Sequence, residues 1–331
     1  MIASAIRRRS LQQRTAEEAR RTARRLWRQV DQGAIIPSWR QMLPQLAALI
    51  AGMQVLAAQT ADTYVNDALN AQNLELGSEG TTNPQGLSGF ASDGWPLASL
   101  LVMPAVQAAR LMQQGVPASR AVAFGRASLE MIASTQVNDA FRIADSVAST
   151  SRRATTYVRV LGPNPCSRCI MLAGQVSWKT AFRRHPNCSC STLPSTQAAG
   201  REYATDPKAY FESLSREEQD RIFTKAGAQA IRDGADMNRV INARRKAAGM
   251  QSASERGRLQ RRATPAGDRF VTFEDPFRLT GGGVAPRLMP ESIYEIARDQ
   301  EHAIQLLKRH GYILDLPAYL PGPDGRLTRV R

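Results

Sequence analysis

The chain has 331 residues, with 44 Lys and Arg against 29 Asp and Glu, a formal net charge of +15 and a pI near 10.5. Hydrophobic residues at 43% suffice to bury a core over a length that suits two or three domains, and the basic excess favours a polyanionic partner, most simply nucleic acid. Aromatics at 6% argue against single-strand stacking platforms.

Residues 1–30 hold nine arginines and no apolar run of the kind that opens a secretory signal. A charged helix is predicted over 12–31, with Leu26, Trp27 and Val30 near its end. A charge-free run of alanine, leucine and glutamine predicts a second over 41–60. That run approaches the length of a membrane span, but Gln41, Pro44, Gln45, Gly52, Gln54 and Gln59 interrupt it. Glutamines are costly in hydrocarbon, so a core helix of a bundle, with no membrane span, is expected. Glycines at 77, 80, 86, 89 and 94 and prolines at 84 and 96 mark 77–96 as a loop. Helices are then predicted over 97–114 and 118–149, and the β-branched and aromatic stretch 155–161 predicts a strand closed by Gly162 and Pro163.

Beyond the strand lie all four cysteines. Cys166-Ser-Arg-Cys169 is followed by His185-Pro-Asn-Cys188-Ser-Cys190, with Gly174 and Trp178 between the clusters on an expected β-hairpin. Trp178 is expected to pack a small core. Further on, Ser215 and Glu218 form a capping box ahead of Ile222, Phe223, Ala226, Ala230 and Ile231 at helical spacing, and Gly234 ends the run. A short helix is predicted over 236–246, and 249–283 has the composition of a linker or extended arm with a strand at 269–273. One amphipathic helix is predicted over 290–310, opened by Pro290, carrying Ile293, Ile296, Ala297, Ile304 and Leu307 on one face and followed by Gly311. The charge is local: one block spans Arg7 to Arg28, and another spans Arg239 to Arg269, where nine basic residues face only Glu255 and Asp268.

These elements predict a mainly α fold with a small β-hairpin zinc-knuckle segment (α+β). The expected organisation is a helical region over 1–150, a Cys/His segment over 151–200, a helical extension over 201–248, a basic linker or arm over 249–285, and a C-terminal helix and tail over 286–331.

Cys166, Cys169, His185, Cys188 and Cys190 offer five donors where a tetrahedral Zn²⁺ needs four. Four cysteines, or three with His185, would serve equally. Disulfides are the competing use, but they belong to oxidising compartments and commonly staple small secreted domains. A catalytic zinc is disfavoured. The PCxxC half of the nucleobase deaminase motif is present, but no histidine precedes His185 to supply the required HxE. An HExxH helix is also absent, so the metal is expected to be structural.

The helical N-terminal region, the CxxC with Gly174 behind it and the HPNCSC turn together resemble the tailed-phage minor head proteins related to the F protein of phage Mu. Tyr210-Phe-Glu-Ser-Leu-Ser-Arg-Glu-Glu-Gln-Asp220, Ala230-Ile-Arg-Asp-Gly-Ala-Asp236, Val240-Ile-Asn-Ala-Arg-Arg245 and Arg287-Leu-Met-Pro-Glu-Ser-Ile-Tyr294 look like the version in phages of actinobacteria. The resemblance spans about residues 150–315; the N-terminal helices fit only in general character.

It implies a minor capsid protein made during head assembly in the host cytoplasm and placed in the virion, inside the capsid near the portal vertex. Its implied partners are the portal protein, other head proteins and packaged double-stranded DNA, with oligomerisation through portal symmetry. The Cys/His cluster would be the family's metal-binding motif, and no catalytic residue transfers. Some relatives are described as capsid maturation proteases. Here only His185, His302 and His310 exist, no GxSxG elbow is present, and an isolated His302 specifies no geometry, so no enzymatic activity is expected. A zinc-containing nucleic-acid binder is the alternative, although C₂H₂ spacing, a helix-turn-helix phrase and an RNP pattern are all missing.

Overall fold

The computed structural model describes residues 2–242 and 287–316, with the backbone of 319–321 and 327–329. The linker, the strand expected at 269–273 and all of the second basic block except Arg239 lie outside the described residues.

Three long helices form the frame: α1 (Ala3–Trp27), α2 (Ile35–Gln59) and α6 (Ala118–Ser151). The shorter helices α3 (Ala61–Asn70), α4 (Leu97–Leu101) and α5 (Met103–Gln113) complete the bundle. Small residues let α1 lie close to α6: Ala16, Ala19 and Ala23 share a core with Leu129, Ala133 and Val137. A Cβ on Gly125 would stand 2.5 Å from the Trp27 ring, so only glycine admits that indole. Trp27 and Trp39 stack at 5.1 Å, and each indole N–H finds a carbonyl, Val122 at 3.0 Å and Leu101 at 2.9 Å.

The charge-free segment lies within α2, whose Trp39, Leu46, Ile50 and Ala57 join this core. Buried Gln54 donates to the Phe90 carbonyl (2.7 Å) and accepts from the Gly89 amide (2.9 Å), tying α2 to the glycine-rich loop. Ile35–Asn70 is the one helical stretch among the described residues long and apolar enough to cross a membrane, and 28% of its apolar window is buried.

A three-stranded antiparallel sheet of order β3-β2-β4 follows, built from β2 (Thr156–Val160), β3 (Gln175–Ser177) and β4 (Ser191–Ser195). The predicted strand is β2, in register Thr156 to Ser177 and Thr156 to Ser195 with its neighbours. Pro194 is tolerated because β4 is an edge strand. Helix α7 (Ser167–Met171) fills the β2–β3 connection, so the CxxC directly follows a strand as expected. Trp178 packs edge-on against Tyr294 at 5.9 Å.

The helical extension contains α8 (Gly200–Tyr203), α9 (Pro207–Ser213), α10 (Arg216–Phe223), α11 (Lys225–Arg232) and α12 (Met237–Asn242). The Ser215–Glu218 capping box forms with both hydrogen bonds, and Gly234 follows α11 at φ +94°. The single helix expected after the box is instead two, broken at Thr224, which takes φ 65° and caps α11. Its predicted face is only partly realised, because Phe223 is buried while Ala226 is exposed.

The helix expected over 290–310 is also two, α13 (Pro290–Ile296) and α14 (Gln300–Arg309). Asp299 stops the continuation by accepting from the His302 amide at 2.8 Å, and this turn leaves Ile296 58% exposed while Ile293, Ile304 and Leu307 stay buried. The 97–114 prediction likewise divides, at Val102. The loop at 77–96 holds a short strand, β1 (Thr81–Thr82), paired with β5 (Ile313–Leu314). A separate pair joins β6 (Tyr319–Pro321) to β7 (Leu327–Arg329).

Candidate metal centre

The five expected donors converge. Cys166 caps α7, its sulfur accepting from the Cys169 amide at 3.4 Å, so the CxxC wraps one helical turn. The second cluster is a tight turn in which Cys188 N–H donates to the His185 carbonyl (3.1 Å) and Asn187 takes φ 61°. Asparagine tolerates this left-handed conformation better than most residues. The Asn187 side chain accepts from Arg20 of α1 (3.2 Å) and Ser134 of α6 (3.3 Å), fixing the turn to the bundle.

Two triads result, Cys166–Cys169–His185 and Cys169–Cys188–Cys190, each with its donor atoms within 4.8 Å of one another. Cys169 belongs to both. His185 Nε2 lies 3.2 Å from Cys166 Sγ and 3.5 Å from Cys169 Sγ, and Cys169 Sγ lies 3.7 Å from Cys188 Sγ. The four cysteines are free thiols, with Cys169, Cys188 and Cys190 buried and Cys166 half-buried. His185 Nδ1 is 2.7 Å from the Pro186 carbonyl, to which only an N–H can donate, and this contact turns Nε2 toward the sulfurs.

Thiols this close share protons unequally. Hydrogen bonds from Cys169 and then from His185 hold the Cys166 thiol down at about 4 against its burial. Cys188 is pushed well down by hydrogen bonds from Cys169 and Cys190, with Arg142 and Arg159 adding positive charge. Cys169 is pushed up by its contact with the Cys166 sulfur, then by those with Cys188 and Cys190 and by burial. Cys190 is drawn down by Cys169, but its hydrogen bond to Cys188 and its burial leave it raised. The hydrogen bond to Cys166 raises His185, against its burial. Four thiols, of which Cys166 and Cys188 lean toward thiolate, beside an oriented imidazole have the donor chemistry to hold a metal ion.

Around this cluster runs a layer of buried arginines that sequence reasoning did not single out. Arg142 of α6 donates to the Cys188 carbonyl and, at 3.0 and 2.9 Å, to that of Cys190, and it pairs with Asp139 at 2.9 Å. Arg184, next to His185, lies 2.6 Å from Asp139 and 2.7 Å from Glu291 of α13. Arg159 of β2 donates to the Leu172 and Arg183 carbonyls (3.1 and 2.6 Å), and its guanidinium stacks 3.8 Å from the Phe182 ring centre. No local pattern marks these arginines: Asp139 and Arg142 stand among Ser134, Thr135, Gln136 and Asn138 of α6.

The two other histidines are apart from this centre. His302 Nδ1 accepts from the Arg298 amide at 3.2 Å, and His310 caps the end of α14. Burial, then the charges of Arg309 and Arg287, lower the His310 pKa. No family model, no curated protein and no solved structure matches the chain.

Proposed function

We propose that this chain is a structural, non-enzymatic component of a tailed-phage head, associated with the portal vertex, in which a zinc ion ties a knuckle-like β2–α7–β3 segment to the HPNCSC turn. The observation that carries the proposal is the convergence of CxxC and HPNCSC, the motifs of the resemblance, on one centre. A tetrahedral zinc with bonds of about 2.3 Å to sulfur has edges of roughly 3.8 Å between sulfurs and about 3.6 Å between sulfur and nitrogen. The Cys169–Cys188 separation of 3.7 Å and the Cys169–His185 separation of 3.5 Å suit those edges. The ligands are drawn from the five donors of the two triads, with Cys169, which belongs to both, as the ligand common to either set.

The ion's role is that of a clasp: its ligands come from two separate turns, and the buried Arg142 and Arg184 fix the backbone around them. Zinc analysis of the purified protein should give one ion per chain. Cys169→Ser, which removes the donor common to both triads, should lose zinc and thermal stability together. The head assignment is tested by co-purification with portal subunits and by mass spectrometry of purified particles. Absence from both sinks it. The alternative, a zinc-containing nucleic-acid binder outside any particle, draws on the same charge and the same clasp; it would bind DNA without portal association. The residual protease reading is tested by His302→Ala, which should leave head-protein cleavage in an assembly assay unchanged.

A further inference from the structure

The arginines of α1 fall into two populations. Arg8 is internal: it pairs with Asp145, donates to the Ala57 carbonyl (2.9 Å) and Thr60 (2.5 Å), and lies 4.5 Å from the Phe141 ring centre. Arg24 forks onto Glu130 of α6 (2.9 and 2.7 Å), and Arg20 reaches Glu17 and Asn187. These are packing residues, so the basic block read from the sequence is not uniformly available. Arg7, Arg14, Arg21, Arg25 and Arg28 are exposed instead.

At about 100° per residue, those five side chains fall within about 60° of one another around the helix, opposite the face that buries Gln12, Thr15, Ala19 and Leu26. Arg28 extends the row because it caps α1 with helical backbone (φ −61°). Arg7, Arg14, Arg21 and Arg28 recur every seventh residue, about 10.5 Å apart, along about 32 Å. Among the described residues, no carboxylate pairs with Arg7, Arg14, Arg25 or Arg28. Arg21 meets only Glu17, at 3.3 Å in an exposed pair of the kind worth little.

The chemistry of the row selects its partner. The other side chains on this face are Ala3, Ser10 and Glu18, with Glu17 and exposed Ile6 at one edge and half-buried Leu11 at the other, so a protein helix laid along it would bury little apolar surface. No lysine occurs in α1, and guanidinium forks match phosphate oxygens with paired hydrogen bonds. The length of the row is close to one duplex turn, about 34 Å. We propose that this arginine rail is a docking surface for the phosphodiester backbone of double-stranded DNA, read without regard to sequence. The assignment rests on the proposed place in a phage head, where packaged double-stranded DNA is at hand, and is independent of the metal.

The test is fluorescence anisotropy of the full-length protein with a labelled random-sequence duplex of about three helical turns, over a range of NaCl. Every arginine that ceases to reach a phosphate should flatten the slope of log K against log salt by about 0.9. Joint substitution of Arg7, Arg14, Arg21, Arg25 and Arg28 by glutamine should flatten it by about 4.5, and joint substitution by lysine should retain most of it. A smaller variant, Arg21→Gln with Arg28→Gln, should reduce the slope by about 2 and guards against a folding defect in the larger one. A wild-type slope in the glutamine variants overturns the proposal, since the duplex would then be held elsewhere on the chain. So does a wild-type protein that binds no duplex; if that protein still co-purifies with portal subunits, the rail falls and the head assignment stands.

Discussion

Asp139 is the residue on which the surroundings of the cluster depend most. Fully buried, it balances Arg142 at 2.9 Å and Arg184 at 2.6 Å, and Arg142 in turn holds the Cys188 and Cys190 carbonyls. Removing one partner of a buried ion pair leaves an uncompensated charge, so Asp139→Asn should cost about 3–5 kcal/mol in urea unfolding. His310 gives a pH prediction at the same scale. Its pKa in the folded chain lies below the unfolded value of about 6.5, so the unfolded state takes up a proton that the folded state refuses. Its neutral form costs nothing above that pH, and stability falls as pH drops below it. The decline in Tm from pH 7 to pH 5.5 should be smaller in His310→Gln than in the parent.

Among the elements, helix ends with a chemical marker were legible and internal breaks were not. Ser215 and Glu218 announce α10, and Gly311 follows α14 at φ +72°. Thr224 and Asp299 divide helices whose apolar spacing continues through the break in the sequence, so periodicity registers neither the break nor the exposure of Ala226 and Ile296 beside it. Asp299→Ala should remove the α14 cap at a cost of about 1 kcal/mol, seen as a lower Tm with the metal content unchanged. The five donors could be picked out because four cysteines and a histidine crowd into two short turns. The arginine layer behind them could not, since Arg184 and Glu291 are 107 positions apart and meet only in the folded chain. The α1 block was visible as charge, but its division into buried and exposed arginines needed the position of α6.

At the scale of the whole molecule, three apolar clusters share the work unequally. The bundle core is rich in alanine, leucine and tryptophan, whereas the cluster joining α7, α9, α10, α11 and α12 includes Cys169, Cys188 and Cys190 among its buried members. Chelation should therefore raise amide hydrogen exchange in residues 162–190 and 207–242 while Leu46, Ile50 and Leu129 in the bundle keep their protection. Equal loss of protection in both regions would show the clasp to be global instead. The pairing of Thr81–Thr82 with Ile313–Leu314 carries a further consequence, for the order of events during synthesis. Asn83 donates to the Tyr312 carbonyl (2.9 Å), and Gly94 accepts from the Arg287 amide (2.8 Å), so the loop is anchored by residues translated some 200 positions later. At about 5–20 residues per second, the loop waits on the order of ten seconds or more for these anchors, and Leu87 waits as long for Leu288 and Ile313, with which it shares a core.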